Sequence, residues 1–246
     1  MKIMRAGFNR RDLIKGALTA GAISALPGFA RASGSSPEFQ RAFDMMVDAG
    51  PNPGAIAPAI VHPASMAPAA IASTRYSQRV IAIAIREIER AGPQVMRRDV
   101  VAVADFARPS SLPRFHFVDL QSGTLRSYLV AHGRGSDPEH DGWLKNFSNV
   151  IGSEATSRGA YLVGDNFTGK YGTSLRLQGL DPDNSNAYDR AIVMHPAWYA
   201  APDMLARWGK LGRSEGCFAM DPEYFGQSLA QLAGGRLLFA DRIEDV

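Results

Sequence analysis

One cysteine in 246 residues is the first scarcity that constrains this chain. Cys217 has no partner for an intrachain disulfide, and five scattered histidines lack the ligand spacing of a zinc site. Long apolar runs are scarce as well. Past residue 32 none approaches the roughly 20 residues that cross a bilayer, so no helical membrane span is expected after the leader. Net positive charge is missing where it would matter. The formal +3 is carried by the first 32 residues, which hold six of the 27 basic side chains and one of the 24 acidic ones. The remaining 21 basic and 23 acidic groups give a net of −2 and no argument for a nucleic-acid partner.

What is present begins with an export address. Residues 1–32 have a basic start, a small-residue apolar run from Gly16 to Ala30, and Ala30-Arg31-Ala32 as an A-x-A-like cleavage site. Asn9-Arg10-Arg11-Asp12-Leu13-Ile14-Lys15 resembles the twin-arginine motif, which implies transport of a folded protein to the periplasm. The apolar run is short for an anchor and contains Pro27, which favours cleavage.

A helical and proline-rich extension (33–98) then precedes the main domain (99–246). Phe39, Phe43, Met46 and Val47 share one face of a short helix over 38–49, stopped by Gly50-Pro51. Between 51 and 68 five prolines prevent helix or central strand, yet Ile56, Ile60, Val61 and Met66 are apolar for a solvated tether. This segment is expected to lie against the main domain as a candidate cleft wall. Residues 73–91 predict the strongest helix, capped by Ser73 or Thr74 and apolar on more than one face. Short β runs follow at 100–106, 115–120, 125–132, 160–163, 175–177, 191–194 and 237–240, with a final helix over 222–232 capped by Asp221. The reading is mainly β (α+β) with flanking helices.

The chemistry gathers at Gly209-Lys210-Leu211-Gly212-Arg213-Ser214-Glu215-Gly216-Cys217. A thiol attacks only as thiolate, and Gly216 leaves the neighbouring amides open to an oxyanion. Upstream, His195 ends an apolar run and is the matching base. An arbitrary Cys and His are more often core residues, so the local context has to carry the assignment.

Met194-His195 with Ser214-Glu215-Gly216-Cys217 resembles the His…Ser-x-Gly-Cys signature of the YkuD-like L,D-transpeptidases of peptidoglycan. Residues 209–219, with Phe147-Ser148-Asn149, Gly152-Ser153 and Arg190-Ala191-Ile192-Val193, resemble the murein L,D-transpeptidase catalytic domain branch. The likeness runs from about residue 100 to 240 and implies a β-sandwich-like domain with the cysteine beside a cleft. It implies that Cys217 attacks an amide carbonyl of a peptide stem and that a second stem's diaminopimelate amine takes the acyl group. His195 would be the base, oriented by the carbonyl of Pro196, with Gly216 and Cys217 amides as oxyanion donors. Arg213 would hold a stem carboxylate or pair with Glu215. Ser214, Ser148, Asn149, Ser153 and Tyr161 are further candidates for substrate contact. His132 competes for the role of base but is given a structural or substrate-facing part. No cofactor is implied, and the partners are donor and acceptor muropeptides.

Glu215 stands where most relatives have histidine, and Ala219 where they have arginine or asparagine. Common relatives form 3,3 crosslinks, whereas a proteobacterial group with a proline-rich region forms 1,3 crosslinks, toward which residues 51–68 lean. A carboxypeptidase or cysteine peptidase on the same stems, or a non-catalytic wall-binding module, are the alternatives. Catalysis requires residues 195 and 217 to meet at an open groove.

Overall fold

The computed structural model describes residues 74–169 and 171–243. The expected leader, the 38–49 helix and the proline-rich segment lie outside the described residues.

Helix α1 (Arg75–Ala91) begins at Thr74, whose side chain accepts from the Ser77 amide at 3.1 Å, and ends at Gly92 with φ 57°. Its buried face is Ser77, Val80, Ile83, Ala84, Glu87, Ile88 and Ala91, the spacing of one helical stripe. Ile85 is exposed, so the helix lies on one face of the sheet and is not sandwiched between elements as its composition suggested. Glu87 is buried between Arg86 and Arg90, and Arg90 reaches on to Asp181 with two bonds of 2.6 and 2.8 Å.

Eight strands form one sheet: β1 (Val100–Asp105), β2 (Phe115–Asp119), β3 (Thr124–Tyr128), β4 (Gly159–Gly169), β5 (Gly172–Gly179), β6 (Val193–Pro196), β7 (Phe218–Met220) and β8 (Arg236–Asp241). Their order is β3-β2-β1-β8-β4-β5-β6-β7. The pairs β1–β8 and β6–β7 are parallel and the others antiparallel. Alternation sorts the side chains. Ala102, Ala104, Leu238, Ala240, Tyr161 and Val163 point to an inner core, while Val101, Val103, Leu237 and Phe239 pack under α1.

The sheet curls. Phe106, just past β1, meets Phe218 of β7 with ring centroids 6.0 Å apart, and the chain beyond β3 bridges β7 through Ala131 and Ala219. Two further helices complete the fold, α2 (Pro202–Trp208) and α3 (Pro222–Leu232). Asp221 caps α3 on the Glu223 amide at 3.1 Å, and Phe225 and Leu232 enter the inner core. This is the mainly β, α+β arrangement expected. No described helix is long and apolar enough to cross a membrane.

Candidate active site

His195 and Cys217 are placed on one side of the sheet by the parallel β6–β7 pair, in which Met194 faces Phe218 and His195 faces Ala219. Met194, Phe218 and Met220 point into the inner core, so the alternate residues His195, Cys217 and Ala219 share the opposite face. Cys217 is thus two residues before the partner of His195 on the adjacent strand. Its thiol donates to the carbonyl of Ala191 at 3.6 Å.

The imidazole is fixed from one side. His195 Nδ1 lies 3.0 Å from the Pro196 carbonyl, which can only accept, so Nδ1 carries the proton and Nε2 keeps its lone pair. Burial lowers the histidine from 6.5 to about 4, although the Pro196 bond opposes this. The Cys217 thiol is pushed up to about 12, first by burial and then by Glu215, against lowering contributions from the Val193 backbone and Arg190. At rest the thiol and the imidazole are both neutral.

The expected open groove is not found. Cys217 is 4% and His195 2% exposed, because the β4–β5 hairpin folds its tip over them. Tyr171 stacks on the His195 ring at 4.5 Å between centroids and 19° between planes. Phe167 and Tyr188 pack around Cys217 with Ala191 and Val193, and Tyr199 meets His195 edge-on.

The turn before Cys217 is tightly tied. Ser214 Oγ donates to the Cys217 carbonyl at 2.6 Å and accepts from the Gly216 amide at 3.2 Å. That amide is therefore engaged within the turn, where sequence reasoning assigned it to an oxyanion, and Ser214 is buried as a turn residue. Gly216 has φ +111°, and an added Cβ would lie 2.7 Å from Ile192 Cδ1 and 2.9 Å from the Ala155 carbonyl. Arg213 bonds to the carbonyls of Asp137 and Pro138. Glu215 pairs instead with Arg134 at 3.1 Å, and Arg134 also holds Glu154. Ala219 is fully buried among Ala131, Ala197, Ala200 and Leu211, which leaves no room for the longer side chain usual at that position.

The other predicted contacts divide. Asn149 spends its amide on Pro182, Ser185 and Asn186, pinning its loop to the segment after β5. Ser148 and Ser153 meet at Arg190, through the Ser148 carbonyl at 2.6 Å and Ser153 Oγ at 3.1 Å. Tyr161 is sealed in the inner core with its hydroxyl on the Ser157 carbonyl, away from any substrate. Residues 133–135 back the site, since a Cβ on Gly133 would lie 2.7 Å from Gly216 Cα.

His132 has the opposite tautomer to His195. Arg114 can only donate to its Nδ1, at 2.7 Å, so Nε2 carries the proton toward Asp137 at 3.3 Å. It has no free lone pair and serves as a buried structural link. Arg114 is itself lowered to about 9 by complete burial. Sequence reasoning assigned no site role to Arg190 or Tyr171; the signal for Arg190 was its place in the Arg190-Ala191-Ile192-Val193 motif that carries the resemblance.

A curled eight-stranded sheet flanked by a few helices, with Cys217 just before β7 and His195 on the paired strand β6, defines a β-rich α+β domain. The family model for the L,D-transpeptidase catalytic domain matches residues 72–240, and the chain belongs to that family. Among solved structures, an L,D-transpeptidase from Mycobacterium smegmatis is 13% identical with a TM-score of 0.36, covering 58% of each chain. The helical cell shape determining protein of Campylobacter jejuni is 13% identical with a TM-score of 0.36, covering 64% of this chain and 55% of that one. An L,D-transpeptidase from Stackebrandtia nassauensis is 12% identical with a TM-score of 0.34, covering 69% and 67%. The chain spans less than two thirds of the first two of these structures. No curated protein sequence matches it.

Proposed function

We propose that the protein is a cysteine L,D-transpeptidase that joins peptide stems of peptidoglycan. The Sγ proton of Cys217 passes to Nε2 of His195, and the thiolate attacks the amide carbonyl of a donor stem. Collapse of the tetrahedral adduct expels an amine, which takes the proton back from Nε2 and leaves a thioester on Cys217. The diaminopimelate amine of an acceptor stem then attacks the thioester, gives its surplus proton to Nε2, and releases the crosslinked product with the free thiol. The observation that carries this reading is the shared face of β6 and β7, with the His195 lone pair freed on Nε2 by the bond from Nδ1 to Pro196. Substrate enters when the Tyr171 ring leaves His195.

The proline-rich segment 51–68 favours 1,3 over 3,3 crosslinks. Incubation with purified disaccharide-tetrapeptide and mass spectrometry of the products tests the reading, with fragmentation locating the new bond. Dimers made by the wild type and absent with Cys217→Ala support it. Shortened stems without dimers, even with an added amine acceptor, mean a hydrolase, and unchanged substrate means a non-catalytic wall module. We further assign the protein to the periplasm through the twin-arginine leader. Replacing Arg10 and Arg11 with lysine should retain it in the cytoplasm on cell fractionation; unchanged export would refute that assignment.

A further inference from the structure

Arg190 is a buried cation with no acid to match it. It is 7% exposed, and its guanidinium donates to the Ser148 carbonyl at 2.6 Å, Ser157 Oγ at 2.7 Å, Ser153 Oγ at 3.1 Å and the Ala155 carbonyl. All four acceptors are neutral, and among the described residues no carboxylate forms an ion pair with it. A buried charge left unpaired is costly, and gathering four acceptors of one loop does not by itself require a charge.

The position of that charge gives it a use. The Ala155 carbonyl that Arg190 holds is the one that packs against Gly216, where an added Cβ would come within 2.9 Å of it. On the other side, Ala191 follows Arg190 directly, adopts φ 52° and turns its carbonyl to the Cys217 thiol at 3.6 Å. A non-glycine residue in that left-handed conformation persists only where its surroundings hold it. One wall, the Ala155 carbonyl behind Gly216, is therefore held by the guanidinium, and the other, the Ala191 carbonyl at the thiol, belongs to the residue that follows Arg190 in the chain. The groups whose ionisation Arg190 feels are Cys217 and Tyr161, and Tyr161 is locked in the core.

We propose that Arg190 is a positioning residue whose unpaired buried charge, held between the two walls of Cys217, stabilises the thiolate on which the proposed reaction depends. It does for the sulfur what an exposed nucleophile obtains from water. The inference rests on Cys217 being the nucleophile, but its test needs no stem substrate, so absence of crosslinking would leave the result interpretable.

The experiment is the rate of Cys217 alkylation by iodoacetamide between pH 7 and 9, followed by mass spectrometry of the folded protein. Loss of the charge in Arg190→Gln is expected to slow alkylation about tenfold at each pH, the scale of one nearby charge acting through protein interior. Simple loosening of the loop would act with the opposite sign, by exposing the thiol. Arg190→Lys keeps the charge with fewer bonds and should stay within about threefold of wild type. Ser153→Ala with Ser157→Ala removes two bonds and no charge, and should alkylate at least as fast as wild type. Alkylation of Arg190→Gln as fast as wild type or faster overturns the proposal. Should that variant not fold, a tenfold slowing in Arg190→Lys or in the double serine variant overturns it equally.

Discussion

Replacing Tyr171 with alanine should convert a masked thiol into a reactive one. The Tyr171 ring lies flat on His195 at 4.5 Å, and Cys217 beneath the same hairpin is 4% exposed. Burial raises the thiol from 9.0 to about 12. At pH 7 that lowers the thiolate fraction from about 10⁻² to about 10⁻⁵, so full relief is worth about a thousandfold in alkylation rate. Removing one ring leaves Phe167 and Tyr188 in place, and an acceleration of at least about tenfold is expected. Wild-type alkylation should rise about tenfold per pH unit from 6 to 9 without levelling, whereas the variant should level earlier. Loss of the ring stack should cost about 0.5–1.5 kcal/mol in stability, which a urea titration reads separately. Equal alkylation rates in a folded Tyr171→Ala protein and wild type, within twofold, would refute the claim that the hairpin tip masks the site.

Acid should unfold the domain through its buried histidines. His116, His132 and His195 are lowered by burial from 6.5 to about 3, 4 and 4, so below pH 6.5 the unfolded chain binds protons that the folded one refuses. The stability they confer is complete above that value and drains away as pH falls toward 4, a loss of about 4 kcal/mol between pH 7.5 and 5.5 from three sites. Urea midpoints that do not move over that interval would contradict it. Gly216→Ala places a Cβ 2.7 Å from Ile192 Cδ1 at φ +111°, and should cost more than about 2 kcal/mol and abolish crosslinking; a fully active variant would show that the turn relaxes freely. Tyr76→Phe removes a hydroxyl that donates to Asp105 at 2.7 Å and accepts from His116 at 2.8 Å. Two buried groups lose partners, and about 1–3 kcal/mol of stability should go with them; a thermal melt identical to wild type would argue that water replaces the hydroxyl.

Local signals served well where the structure depends on local chemistry. Thr74 and Gly92 bound α1, and Asp221-Pro222 starts α3, because caps act within one turn. β6 was displaced by two residues, since the apolar Ala191-Ile192 pair belongs to a left-handed turn and the strand runs on through Pro196. β7 escaped notice because three residues show no period. The outer half of the β4–β5 hairpin, from Asp165 onward, is too polar to read as strand, and this is the part that covers the thiol. His195 and Cys217 stand out from local context and resemblance and fall close together along the β6–β7 pair, but without the open groove expected between them. The ties of Arg190, which join residues more than thirty apart, were not. Short-range patterns carry no record of which distant loop a guanidinium will meet.

β8 is the last described strand in chain order, yet it occupies the middle of the sheet, paired in parallel to β1 and antiparallel to β4. Until residues 236–241 are in place, β1 and β4 keep open edges, and the two groups of strands are joined only through the bridges beyond β3 and the inner core. The sheet is therefore completed in a late step that depends on long-range contacts, rather than growing strand by strand in chain order. A truncation that removes residues 236–241 would leave a sheet without its central strand, exposing the facing edges of β1 and β4 as aggregation-prone seams.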